Sequence, residues 1–192
     1  MTGRAQASWF GSFVRRLLLA LPAAFLVWWL LIPLYNPFLA QAGQSLARLT
    51  EHPSVTKLQR RDRHYVLVDR VDAPSARLPY AVRLTDIHYP TALYAALVLA
   101  VPGVGWRRRL GVLGTSLLIL AVFHVVDLFF WIEFVYATQL GGWSEEEFGP
   151  WARNVYGLGK HVLDLPVKLG LPLLLWVVSF WPELVGGRSS SR

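Results

Sequence analysis

Residues 17–35 read LLLALPAAFLVWWLLIPLY, without a single charged side chain. A helix needs about 20 mostly apolar residues to cross about 30 Å of hydrocarbon, and this run meets that length. Three further runs have the same character. They cover residues 89–106, which is short and ends at Pro102-Gly103, residues 110–134, which is the longest, and residues 169–184. The chain is 54% hydrophobic and only 16% charged, against about a quarter charged in an ordinary soluble domain. A soluble single domain and a disordered chain are both excluded on these grounds. The expected fold class is an all-α membrane protein with four transmembrane helices. A small β-hairpin or meander is inserted between the first and second.

Arginine and lysine beside the spans set the orientation, because they are retained on the cytoplasmic side. Arg4, Arg15 and Arg16 precede the first span, and Arg107, Arg108 and Arg109 fill the turn between the second and third. Arg188 and Arg192 follow the fourth. With four spans all these groups share one side, so both termini are cytoplasmic. Residues 36–88 hold eight basic residues and five acids on the opposite side, which is tolerated because long loops translocate largely regardless of charge. Arg15-Arg16, the apolar run and Ala40-Gln41-Ala42 also have the parts of a secretory signal. A signal core is usually about 7–15 residues, so the longer run with Trp28 and Trp29 reads as an uncleaved anchor.

The organisation that follows is residues 1–35 as cytoplasmic N-terminus and first span, and 36–88 as an extracytoplasmic segment. Residues 89–140 hold the second and third spans, 141–168 an extracytoplasmic amphipathic helix, and 169–192 the fourth span and tail. Within 36–88, Phe38, Ala42, Leu46 and Leu49 recur at helical spacing and predict a short helix in the headgroup region or over the neighbouring domain. His52-Pro53 ends it. Alternating apolar residues around Tyr65, Val66, Leu67 and Val68, the turn cluster Asp72-Ala73-Pro74-Ser75, and Tyr80, Val82 and Leu84 predict an antiparallel hairpin. A third strand begins near Val55. An open edge could accept a strand from another protein; Lys57, Arg60, Arg61 and Arg63 are expected to blunt it. Ser144 with Glu147 has the form of a capping box. Trp151, Val155, Leu158, Val162 and Leu165 then mark an amphipathic helix, with Arg153, Asn154, Lys160, His161 and Asp164 away from the stripe. Trp106, Trp131, Trp143 and Trp151 fall at expected membrane boundaries, where amphipathic rings sit.

Charged groups inside a span are costly and are candidates for function. His124 and Asp127 lie three apart in the third span, on one helix face, where they could hydrogen-bond. Glu133 falls at its outer boundary. The same spacing recurs at His161 and Asp164, and Asp86 and His88 flank the second span. Three readings follow: a shared metal site of imidazoles and carboxylates, a proton relay along His124 and Asp127, or interhelical pairs that tie helices together. The third is favoured, so no metal, cofactor or catalytic residue is assigned. The absence of cysteine excludes a thiol nucleophile, a disulfide framework and an iron–sulfur cluster. No phosphate loop, H-E-x-x-H or G-x-S-x-G pattern occurs. The net charge of +7 speaks to orientation and anionic lipid rather than to nucleic acid.

Three stretches carry a family resemblance. Asp86-Ile87-His88-Tyr89-Pro90 leads into TALYAALVLAVP, Trp106-Arg107-Arg108-Arg109-Leu110 opens the long third span, and Asn154-Val155-Tyr156-Gly157-Leu158-Gly159 precedes LPVKLGLPLLLW. With the order anchor, strand-rich segment and further spans, the chain resembles the exosortase H-associated membrane proteins of bacterial inner membranes. Exosortases look like multi-span cysteine proteases or transpeptidases that process C-terminal sorting signals. The resemblance implies a partner role, since this chain has no cysteine. The expected function is a non-catalytic accessory or scaffold subunit, with the lipid bilayer and another integral membrane protein as partners. The alternatives are a small transporter or proton-coupled subunit using His124 and Asp127, and a metal-dependent membrane enzyme using the His/Asp pairs.

Overall fold

The computed structural model describes residues 2–51, 54–70, 72 and 80–186. In chain order the elements are α1 (Thr2–Thr50), β1 (Thr56–Arg60), β2 (Tyr65–Arg70), β3 (Tyr80–Arg83), α2 (Leu84–His88) and α3 (Pro90–Ala100). Then come α4 (Trp106–Thr138), α5 (Gly142–Glu147), α6 (Pro150–Val162), a π-helical turn (Leu163–Val167) and α7 (Lys168–Gly186). Three helical stretches are long and apolar enough to cross a membrane: Ser8–Thr50, Trp106–Thr138 and Pro150–Val185, of 43, 33 and 36 residues. At about 1.5 Å per residue each exceeds the hydrocarbon thickness by roughly 20 Å or more. The second apolar run of the sequence is not among them, because α3 has only 11 residues before the chain breaks at Val101. His52-Pro53, most of the Asp72–Ser75 turn cluster, Arg188 and Arg192 lie outside the described residues.

The chain divides into two units. One comprises Met1–Leu30, Tyr89–Leu120 and Leu169–Arg192. Its interior is built from Tyr94, Val98, Val101, Leu120 and Phe180, with a smaller cluster of Phe13, Leu97 and Ala100 beside Trp9 and Trp176. The last carbonyls of a helix lack partners within it. Arg109 supplies them for α3, donating from Nη1 to Leu99 O and from Nη2 to Val101 O, each at 2.6 Å. Gly103, at φ 76°, turns the chain there. Arg108 pairs with Glu183 and donates to Ser179 O at 3.1 Å. Arg15, Arg16 and Arg107 are exposed. The surface of this unit is apolar: Leu19 is 72%, Leu118 68% and Val178 66% exposed. That is the surface of a protein solvated by lipid chains rather than water.

The other unit comprises Leu31–His88 and Ala121–Lys168. It carries the three-stranded antiparallel sheet in the order β1-β2-β3, with Leu58 opposite Val68 and Val66 opposite Val82. The meander expected from near Val55 is thus present. Val66, Val68 and Val82 pack with Leu39, Ala47, Leu84, Ile87, Leu128, Ile132, Val135 and Tyr136. Helix side chains take up two backbone groups on the edge of β1. Arg48 Nε donates to Thr56 O at 2.8 Å, and Gln44 Oε1 accepts Leu58 N–H at 2.7 Å.

Several local expectations change. The short helix expected from Phe38, Ala42, Leu46 and Leu49 is the continuation of the first span, uninterrupted through Pro33 and Pro37. Membrane helices tolerate proline where neighbours satisfy the freed backbone groups. Its buried side is Ile32, Asn36, Leu39, Gly43 and Ala47, whereas Phe38 and Leu49 of the expected stripe are exposed. Helix α6 is inverted in the same way. Trp151, Leu158 and Leu165 are exposed, while Lys160 and Asp164 are half-buried. Apolar periodicity marks the buried side of a helix only when the solvent is water. Ser144 does not cap α5. Its Oγ accepts Leu140 N–H at 3.0 Å and donates to Tyr136 O at 2.7 Å, which closes the end of α4 instead. Of the tryptophans expected at boundaries, Trp106 and Trp151 are exposed, while Trp131 and Trp143 are covered by Lys160 and Arg70.

Candidate functional site

All the polar residues singled out in the sequence lie in the sheet-bearing unit, Leu31–His88 with Ala121–Lys168. The structure sorts them into three groups. The first comprises two sets of hydrogen bonds whose rings lie against one another. Tyr35 Oη and His124 Nδ1 share a bond of 2.8 Å, and His88 Nε2 donates to Asn36 Oδ1 at 2.7 Å. Asn36 Nδ2 donates to Arg63 O at 2.8 Å. The Tyr35 ring stands edge-on to both imidazoles, with centroids 4.9 Å from His88 and 5.9 Å from His124. The two imidazoles are 6.1 Å apart. Helix α1 supplies Tyr35 and Asn36 where its apolar run ends, α2 supplies His88 and α4 supplies His124.

The second group surrounds the π-helical turn. Proline has no N–H to donate, and the wider turn containing Pro166 closes with Lys168 N–H on Leu163 O. Asp164 bonds Lys168 and lies 3.3 Å from Lys160 Nζ. The Lys160 ammonium also sits 3.9 Å from the Trp131 ring centroid, a favourable cation–π position. Asp127 shares the electrostatic field of Asp164, Lys168 and Lys160. It is fully buried, and among the described residues neither of its carboxylate oxygens has a hydrogen-bond partner. The hydrogen bond that the spacing of His124 and Asp127 allows is not made; His124 Nδ1 bonds Tyr35 instead. Gly159 in α6 lies so close to α4 that a Cβ there would fall 2.3 Å from the Phe130 ring.

The third group joins the sheet to α4. Glu51 accepts Val55 N–H at 3.1 Å, Thr56 N–H at 3.0 Å and Arg70 Nη1 at 3.2 Å. Tyr136 Oη donates to Thr56 Oγ1 at 2.9 Å, and the Arg70 guanidinium covers the Tyr136 and Trp143 rings. Glu133 is buried and feels the charges of Glu51 and Arg70.

The His/Asp pairs therefore do not converge. His161 Nδ1 donates to Gly157 O at 2.7 Å, leaving Asp164 to the lysines. Asp86 pairs with Arg83 at 3.5 Å on the surface while His88 is buried. Among the described residues, no three His, Asp or Glu side chains come together in a way that could hold a metal ion. Sequence reasoning missed Tyr35, Asn36, Lys168, Glu51, Arg70 and Tyr136. A signal existed for the first three, which sit at the ends of apolar runs where a polar group is shielded but within reach of another helix.

No curated protein and no solved structure matches the chain. A family model described as exosortase H-associated membrane protein matches residues 7–182, nearly the whole length, including all three groups of polar residues. The chain belongs to the exosortase H-associated membrane proteins.

Proposed function

We propose that this chain is a non-catalytic accessory subunit of a bacterial inner-membrane complex, seated beside an exosortase-type enzyme. The observation that carries the reading is the family match over residues 7–182. The outward apolar side of α6 supports it, with Trp151 78% exposed, since a partner's membrane helix can pack there without desolvating charge. In this reading the chain makes four passes with both termini in the cytoplasm. The second pass is the run at residues 89–106, whose helical part is α3. Affinity purification from mild detergent should bring down a stoichiometric integral membrane partner, the exosortase where the two are co-expressed. Recovery of a lone monomer would overturn the proposal.

One observation favours a second reading, a proton-coupled subunit. Buried polar groups are almost always hydrogen-bonded, and Asp127 is not. Asp127→Leu removes the unsatisfied carboxyl altogether and should raise stability by about 1–3 kcal/mol, the usual penalty of an unsatisfied buried group. In the second reading the same variant abolishes acidification of dye-loaded proteoliposomes. If the unaltered protein carries no proton flux, that reading is excluded and the stability gain stands alone.

A further inference from the structure

The unit formed by Met1–Leu30, Tyr89–Leu120 and Leu169–Arg192 has one acidic side chain, Glu183, against eight arginines. Glu183 is taken by Arg108. Arg15 is exposed, and among the described residues no carboxylate pairs with it. Arg16, next to it, lies in the field of Arg109. The neighbouring charges therefore add to that of Arg15 instead of cancelling it, and the place attracts an anion. Arg15 also sits in a shallow groove of about 640 Å³ on one face of α1. Two rows at spacings of four, Phe10–Val14–Leu18 and Gly11–Arg15–Leu19, form it. Gly11 has nothing within 4 Å of where a Cβ would stand, which leaves a notch one turn before Arg15.

The apolar lining selects the source of the anion. Phe10, Leu18 and Leu19 are exposed by 62%, 65% and 72%, and Leu17 opens the uncharged run of α1. A free phosphate gains nothing from such a surface, whereas the hydrocarbon of a lipid does. An arginine at this place can lay its stem on the apolar face and keep its guanidinium at headgroup level, where a phosphate accepts two parallel hydrogen bonds. We propose that this groove binds an anionic phospholipid, its phosphate on Arg15 and an acyl chain laid past Leu18 and Leu19. The proposal is independent of the accessory role and of the number of passes, since it concerns one face of α1 and a lipid.

Native mass spectrometry of the full chain in mild detergent tests it, using added phosphatidylglycerol, phosphatidylcholine and inorganic phosphate in separate arms. Phosphatidylglycerol should bind at least about fivefold more tightly than phosphatidylcholine, with a preference that falls as salt is raised. Arg15→Gln should abolish that preference. Gly11→Leu fills the groove and leaves every charge in place, and it should weaken phosphatidylglycerol binding by a similar factor. Arg107→Gln, exposed and outside the groove, should keep the preference. All three variants should unfold at the original temperature; if Gly11→Leu does not, Arg15→Gln against Arg107→Gln decides. Equal binding of the two lipids, equal losses in Arg15→Gln and Arg107→Gln, undiminished binding by a folded Gly11→Leu, or inorganic phosphate bound as tightly as phosphatidylglycerol would overturn it.

Discussion

Asp164→Leu should cost the folded protein about 3–5 kcal/mol, the range for removing one partner of a buried ion pair. Asp164 holds two ammonium groups at once. Lys168 and Lys160 have side chains only 9% and 13% exposed. Without the carboxylate, both remain in a medium that solvates charge poorly. The expected loss corresponds to a fall in Tm on the order of 10 °C, read by thermal unfolding in mild detergent. Adding Lys168→Met to Asp164→Leu should recover much of it, because removing both charges also removes the desolvation that the pair offset. Asp127 stands in the same field and provides some residual compensation, so Asp164→Leu combined with Asp127→Asn should be worse than the two effects added. An unaltered Tm for Asp164→Leu would show that the lysines reach water or headgroups in the folded state.

Gly43→Val should be the most damaging change to packing. An added Cβ would lie 2.5 Å from Leu128 Cδ2 and 2.9 Å from its Cγ. Leu128 is fully buried, so it has no solvent-side space into which to turn. Overpacking of this kind costs about 1–3 kcal/mol and sometimes more. The reason for the glycine is the close approach of α1 to α4, the small-residue contact that membrane helices use in place of a hydrophobic driving force. Gly11, Gly111, Gly114 and Gly170, also helical, have nothing within 4 Å of such a Cβ, and alanine there should leave the Tm nearly unchanged. Gly43→Val combined with Leu128→Ala should fold better than Gly43→Val alone. If the single variant unfolds at the original temperature, the helices can separate at no cost and the contact does not hold the unit together.

What the sequence revealed, and what it concealed, follow from the same solvent argument. Three of the four apolar runs fall in helices long and apolar enough to cross a membrane, which length and composition suffice to recognise, whereas the run at 89–106 holds a helix of only 11 residues. Strand alternation around Val66 and Val68 placed the sheet, since that part of the chain is packed on one side in the ordinary way. The periodic stripes failed. Phe38 and Leu49 on α1, Trp151 and Leu158 on α6, and Leu165 in the π-helical turn are regularly spaced yet exposed, because lipid accepts what water would reject. Spacing within one helix also misled the reading of His124 and Asp127. It showed that they share a face, but not that Tyr35, 89 positions earlier in the chain, would occupy the imidazole. Partners on other helices are set by packing, and one sequence does not display that. The lysines beside Asp164 were legible only as charges on the polar side of a helix. Their burial required knowing that this side turns inward.

The seal on β1 has a further consequence. A sheet with two open margins can add copies of itself without end, which is the route to fibres. Here Arg48 and Gln44 take up Thr56 O and Leu58 N–H on one margin. If two molecules ever joined through their β3 strands, the joined sheet would run to six strands and stop, a two-fold dimer bounded on both flanks by α1. The molecule is thus guarded against runaway assembly by a pair of side chains, at a membrane surface where crowding brings copies into frequent collision.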